Sequence, residues 1–177
     1  MRRRVSRSRG PVIPGSVVAV GVVLVLAVHA AHGDGAPHGT PQQAAAEAVA
    51  YTRGEVGKPY LWGGTGPGAF DCSGLVMMAY RAAGVPGIPR TSQQQWAWGP
   101  KVAVPRAGDL VFFAGADGTS TAPGHVGIVV NPAKHLMIEA YAAGFPVRVS
   151  VYGAPGAAPG DSPVVGFTAP WQKAGAA

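Results

Sequence analysis

The sequence predicts an α+β fold, with N-terminal helices packed on an antiparallel β-sheet. Helical patterns occupy the first part of the chain, up to about Trp98. Short apolar runs rich in Val, Ile and Phe, bounded by Gly and Pro, take over from Gly108. Two of these runs, His125–Val130 and His135–Tyr141, flank the turn Asn131-Pro132-Ala133-Lys134, the pattern of an antiparallel hairpin. Helices followed by strands favour α+β over an alternating β/α architecture.

The first helix opens at Thr40-Pro41-Gln42-Gln43. Thr40 can cap it, Pro41 suits the first helical position and Gln43 completes a capping box. Its Ala-rich body runs to about Arg53 and stops at Gly54 and Gly57-Lys58-Pro59. Tyr60-Leu61-Trp62 reads as a short extended piece entering a Gly-rich loop, with Trp62 a core aromatic. From Ser73 to Ala83 the apolar residues Leu75, Val76, Met78, Ala79 and Ala82 recur at three and four, and Gly84 stops the helix. Cys72 therefore falls at a helix N-terminus, with Asp71 placed to cap it. Pro89-Arg90-Thr91-Ser92 turns into a short Gln-rich helix ending near Trp98, and Arg90 reads as tying that turn to a carboxylate. Asp109 reads as a turn residue before the strand Leu110–Phe113. Further strands are expected at Val147–Val151 and Val164–Phe167, with a Pro/Gly loop from Ala154 to Ser162 between them.

The N-terminus reads as an export signal. Arg2, Arg3, Arg4, Arg7 and Arg9 precede an apolar stretch from Val17 to Ala31, and small residues follow. The run is short for a spanning helix, which needs about 20 apolar residues. Residues 1–30 are therefore expected to be a signal peptide, or a signal anchor that would hold the chain to a membrane through residues 16–31 if uncleaved. Residues 31–39 are expected to form a linker, 40–170 one folded domain and 171–177 a tail. Of the 14 Lys and Arg, five lie in residues 1–10, leaving nine against eight Asp and Glu, so the chain beyond the signal is near +1. That balance gives no nucleic-acid footprint. His29, His32 and His38 lack the shaped spacing of a metal site. No additional repeat or module is read ahead of the domain, and its short prelude suggests a constitutively open cleft. A monomer is expected.

Cys72 is the only cysteine. An exported chain with one cysteine cannot form an internal disulfide, so a retained thiol is a candidate nucleophile. A thiol attacks a carbonyl well only as thiolate, which a helix N-terminus and a nearby imidazolium favour. In the folded region only His125 and His135 can supply that imidazolium. His125 sits at a strand start, whereas His135 falls in a hairpin turn, a place for a solvated residue. Cysteine hydrolases also use a third polar group to orient the imidazole. Glu139, on the strand paired with that of His125, can do this; His135 is the rival should the hairpin register differ.

Five ordered blocks carry a resemblance: Pro59–Gly64, Phe70-Asp71-Cys72-Ser73-Gly74-Leu75-Val76, Pro89-Arg90-Thr91-Ser92, Gly108–Phe113 and Gly124-His125-Val126-Gly127-Ile128. In this order they resemble the NlpC/P60 family of cell-wall cysteine peptidases. The resemblance implies a papain-like core, with Cys72 as nucleophile, His125 as general base and then acid, and Glu139 at the third position. It implies that Tyr60 lines the site, and that Asp71 and Ser73 contact the free amino end of a peptide. The implied substrate is a peptidoglycan stem peptide cut between D-Glu and a diamino acid, with no metal or organic cofactor. The same scaffold could instead carry an amidase, an acyltransferase or a non-catalytic wall-binding module. Substrate choice would be read from the walls near Tyr60, Asp71 and the Trp96–Trp98 segment.

Overall fold

The computed structural model describes residues 39–115, 117–153 and 162–174. The expected signal, most of the linker and nearly all of the Ala154–Ser162 loop lie outside the described residues.

Among the described residues three α-helices come first: α1 (Pro41–Gly54), α2 (Cys72–Ala82) and α3 (Ser92–Trp98). Their starts are chemically determined. The Thr40 N–H donates to Gln43 Oε1 at 2.6 Å while Gln43 N–H donates back to Thr40 Oγ1, so the expected capping box forms. Thr91 and Gln94 repeat the device on α3. On α2, Asp71 Oδ1 accepts from Gly74 N–H at 2.7 Å.

Six strands follow among the described residues: β1 (Lys101–Val102), β2 (Leu110–Phe113), β3 (His125–Asn131), β4 (Leu136–Glu139), β5 (Arg148–Val151) and β6 (Val164–Thr168). They form one antiparallel sheet in the order β1-β6-β2-β3-β4-β5. A 3-10 turn at Pro132–Lys134 closes the β3–β4 hairpin, with Asn131 Oδ1 accepting from Lys134 N–H. β1 is the strand that sequence patterning did not predict.

The sheet is covered on both faces along β2, which explains why Leu110–Phe113 is a continuous apolar run rather than an alternating one. Leu110 and Phe112 join the main core with Leu75, Val76, Ala79 and Tyr80 of α2 and Ala44, Ala45 and Ala48 of α1. Val111 and Phe113 pack with Val129, Met137 and Tyr152 in a second cluster. Each such large side chain contributes about 1.5–3 kcal/mol of burial.

Asp109 does more than turn the chain. It is fully buried; Oδ2 accepts from Arg106 N–H and Oδ1 from the Trp171 indole N–H, each at 2.6 Å. Burial pushes its carboxyl up, against the opposing pull of these two donors. Trp171 lies in the 3-10 turn Pro170–Lys173 and is itself buried. The segment read as a tail from residue 171 thus begins inside the packed body.

Candidate active site

The site is built from three pieces of chain that meet at Cys72. The first is the loop before α2. A turn at Leu61–Gly64, closed by Gly64 N–H to Leu61 carbonyl at 2.8 Å with Gly63 at φ 78°, puts Trp62 at its outer corner. Trp62 is 78% exposed, so it is not the core aromatic that its composition suggested; the turn geometry points it into solvent beside the thiol. Tyr60 is held next to the Phe70–Cys72 segment by Leu61 N–H to Phe70 carbonyl at 2.9 Å and a bridge to Phe70. Burial and the neighbouring Cys72 and Asp71 raise the Tyr60 phenol above its usual value.

The second piece is the start of α2. The Asp71 carboxylate is held from several directions. It caps Gly74, accepts from Gly63 N–H at 2.9 Å, and takes both terminal nitrogens of Arg90, at 3.0 and 2.5 Å. This two-pronged grip is the strong form of a carboxylate–guanidinium pair. Arg90 Nη1 also donates to Ser73 Oγ at 3.0 Å, and buried Gln95 donates to the Ser73 carbonyl at 2.9 Å. Arg90 therefore ties a turn to a carboxylate, as read from sequence. Cys72, the first residue of α2, is partly exposed, and its N–H has no intrahelical acceptor.

Gly74 is required here by contact. A Cβ at this position would sit 2.1 Å from the Gly64 carbonyl oxygen and 2.9 Å from Asp71 Oδ1. Gly74→Ala is expected to cost about 3 kcal/mol of stability by forcing the loop off the helix. Denaturant unfolding measures this, and a midpoint unchanged from wild type would contradict the contact.

The third piece is the β3–β4–β5 corner of the sheet. His125 starts β3 opposite Phe113 and is 5% exposed. The pairing Ile128–Ile138, continued one step, brings Gly127 opposite Glu139, with His125 diagonally adjacent on the same face. His125 Nε2 donates to Glu139 Oε2 at 2.8 Å. That leaves Nδ1 as the nitrogen available to Cys72. Burial opposes charge on His125, but hydrogen bonding to Cys72 and Glu139 and their charges override it and lift the ring to about 9. Burial likewise works to raise the Glu139 carboxyl, and His125, Ser150 and Arg148 outweigh it, holding it below the usual range.

His135 goes elsewhere. It is exposed, sits in the left-handed region at φ 53° at the end of the hairpin turn, and stacks on Tyr152 at 5.2 Å. Glu139→Ala is expected to lower turnover roughly 10²–10³-fold, and His135→Ala to leave it within about twofold. Steady-state kinetics of the two variants decides this, and the reverse ranking would replace Glu139 with His135.

Two cavities, of about 380 and 360 Å³, flank Cys72 and share Trp62, Asp117 and Gly124, so a groove crosses the thiol. On one side lie Tyr60, His125, Tyr141 and Ser162; on the other, Asp71, Ser73, Arg90 and the start of α3. The expected wall at Trp96–Trp98 is not part of either cavity. Trp96 packs edge-on against Phe112 at 5.2 Å with Lys101 Nζ over its ring, and Trp98 lies beneath Lys173. Of the expected site residues, Cys72, His125, Tyr60, Asp71 and Ser73 line the groove, and Glu139 stands behind His125. Arg148, Ser150, Asp117 and Tyr141 were not singled out from sequence. Arg148 and Ser150 alternate with Val149 and Val151 along β5, so their polar face was the available signal. Among the described residues no cluster of His, Cys, Asp and Glu could hold a metal ion.

A partly exposed thiol at a helix N-terminus, beside a buried imidazole with a carboxylate behind it, is equipped for acyl transfer to sulfur. Comparison with known proteins agrees with this architecture. A probable endopeptidase of Corynebacterium glutamicum strain R is 40% identical over 124 residues, covering 68% of this chain and 56% of that protein. Probable endopeptidase p60 of Listeria monocytogenes is 42% identical over 85 residues, covering 47% of this chain and 16% of that protein. The chain thus spans about half, or less, of the length of the curated relatives it matches. Among solved structures, the peptidoglycan hydrolase RipB of Mycobacterium tuberculosis superposes with a TM-score of 0.57 at 29% identity, over 72% of this chain and 65% of that one. The NlpC/p60 domain of the peptidoglycan hydrolase SagA gives a TM-score of 0.54 at 32% identity, over 60% and 88%. The family model for NlpC/P60 matches residues 57–155, the stretch from the loop before Tyr60 to just past Ser150, and the chain belongs to the NlpC/P60 family.

Proposed function

We propose that this protein is an exported cysteine endopeptidase that hydrolyses peptidoglycan stem peptides at the bond between the side-chain carboxyl of D-Glu and a diamino acid. The observation that carries the reading is the buried His125–Glu139 pair, at 2.8 Å, set against the Cys72 thiol in an open groove. Family membership and the similarity to peptidoglycan hydrolases support the substrate class. The Arg-rich, then apolar, N-terminal sequence supports export, with cleavage giving a secreted protein and retention a membrane-anchored one.

In this mechanism the Cys72 thiolate attacks the amide carbonyl. The Cys72 N–H and the Tyr60 hydroxyl donate to the developing oxyanion. Imidazolium Nδ1–H of His125 gives its proton to the departing amine, leaving a thioester on Cys72. His125 then takes a proton from water, whose oxygen attacks the thioester. The products are a free carboxyl and the regenerated thiolate–imidazolium pair. Glu139 holds the ring through Nε2, keeping Nδ1 on the thiol side. Asp71 and Ser73, on the far side of the groove, would meet the amino end of the acyl portion.

A panel of three synthetic substrates tests the bond. One carries a γ-D-Glu–diamino acid link, one the α-linked isomer and one a muramoyl–L-Ala amide. The γ-linked peptide is expected to be cut fastest. Preference for the muramoyl amide would make the enzyme an amidase, and cleavage of none would favour another acyl substrate or a binding role.

A further inference from the structure

Glu139 is fully buried, and both carboxylate oxygens are occupied by protein donors. Oε2 accepts from His125. Oε1 accepts from Arg148 Nε and Nη2, each at 3.0 Å, and from Ser150 Oγ at 2.5 Å. β5 supplies both donors, because the β4–β5 register sets Arg148 directly opposite Glu139 and Ser150 one diagonal away. The guanidinium is itself clamped. It lies 5.0 Å from the Tyr141 ring centre and 4.9 Å from that of Phe145. Tyr141 also meets the His125 ring edge-on at 5.9 Å and lines the groove.

A buried carboxylate facing an imidazole has two arrangements, an ion pair or a neutral pair with the proton on the carboxyl. Low dielectric favours the neutral one unless further charges intervene. A cation and a hydroxyl on the far oxygen favour the ion pair. We propose that Arg148, assisted by Ser150, is a positioning residue that keeps Glu139 a fixed anion, so that the mobile proton stays on His125 and available to Cys72. This rests on the reading of Cys72 and His125 as the reacting pair. The other groups facing His125 are Cys72 from α2, Tyr60 and Asp117 across the groove, and Tyr141 and Phe113 beside the ring. Among the described residues bonded to His125 or Glu139, only Arg148 brings a permanent positive charge to the pair.

Losing the proton leaves the His125–Glu139 pair with a net negative charge, which Arg148 stabilises. Replacing Arg148 by Gln therefore raises the pH at which the pair gives up its proton. It also reduces imidazolium character at neutral pH, because Glu139 then competes for that proton.

The experiment uses the full chain and needs no substrate. The His125 ring is titrated by NMR, and the sole cysteine is alkylated with iodoacetamide as a function of pH. In Arg148→Gln the NMR midpoint is expected to rise by about half a unit to one unit, and alkylation at pH 7 to slow severalfold. Arg148→Lys should restore most of both. On a cleavable peptide, kcat should fall about tenfold with KM little changed. An unchanged midpoint and alkylation rate in a folded Arg148→Gln protein would overturn the proposal and make Arg148 a packing residue. Should that variant fail to fold, Ser150→Ala must shift the midpoint in the same direction, and its failure to do so is equally decisive. Absence of peptide cleavage by wild type would remove the endopeptidase reading while leaving the titration and alkylation results standing.

Discussion

Cys72→Ala is expected to lower hydrolysis by roughly 10⁴-fold or more while leaving the fold intact. The thiol is the only group in the groove among the described residues that can form a thioester, and no other cysteine exists in the chain to replace it. The side chain is small and only partly buried, and Ala suits a first helical turn, so stability should change little. Turnover of the γ-linked peptide, with circular dichroism as the check on folding, measures the effect. Iodoacetamide labelling should fall from one group per chain to none. Residual hydrolysis near the wild-type rate would place the nucleophile elsewhere.

His125→Ala is expected to lower turnover roughly 10³-fold, the ordinary contribution of a general acid–base. The raised pKa of this ring adds a pH signature. Because the folded value is about 9 against the usual 6.5, the imidazolium contributes stability that is fully present below about pH 6.5. That contribution is lost as pH rises through about 9. Wild-type activity should decline across the same upper limit as Nδ1 loses the proton owed to the leaving amine. Denaturant midpoints for wild type and His125→Asn, compared from pH 6 to 10, should converge at the alkaline end. Parallel curves would mean that the ring is neutral in the folded protein.

Much of this architecture was legible in the sequence because local chemistry determines it. Thr40 with Gln43 fixed one helix start, and Asp71 fixed another at the residue before the thiol. The β3–β4 hairpin was readable from two apolar runs and a Pro-containing turn, and with it the proximity of His125 and Glu139. Features that failed to show depend on distant partners. β1 is two residues long and exists only because it pairs with β6. Trp62 looks apolar but is carried outward by a turn whose geometry depends on Gly63. Asp109 turned out to anchor Trp171, 62 residues away. Arg148 and Ser150 read as ordinary polar positions on a strand, since nothing local reveals that a buried carboxylate lies opposite. Trp96 and Trp98, aromatic positions expected near the groove, instead pack under Lys101 and Lys173 at the end of α3.

A Cys72 thioester of the D-Glu side chain is expected to form on the way to product. Partitioning with hydroxylamine tests it most directly. The γ-linked stem peptide is digested with excess hydroxylamine, and the acyl product is analysed by mass spectrometry. The predicted product is the γ-hydroxamate of D-Glu, formed at the expense of the free acid and absent with Cys72→Ala. A digest that yields only the free acid at every hydroxylamine concentration, or cleavage at a different bond, would contradict the mechanism.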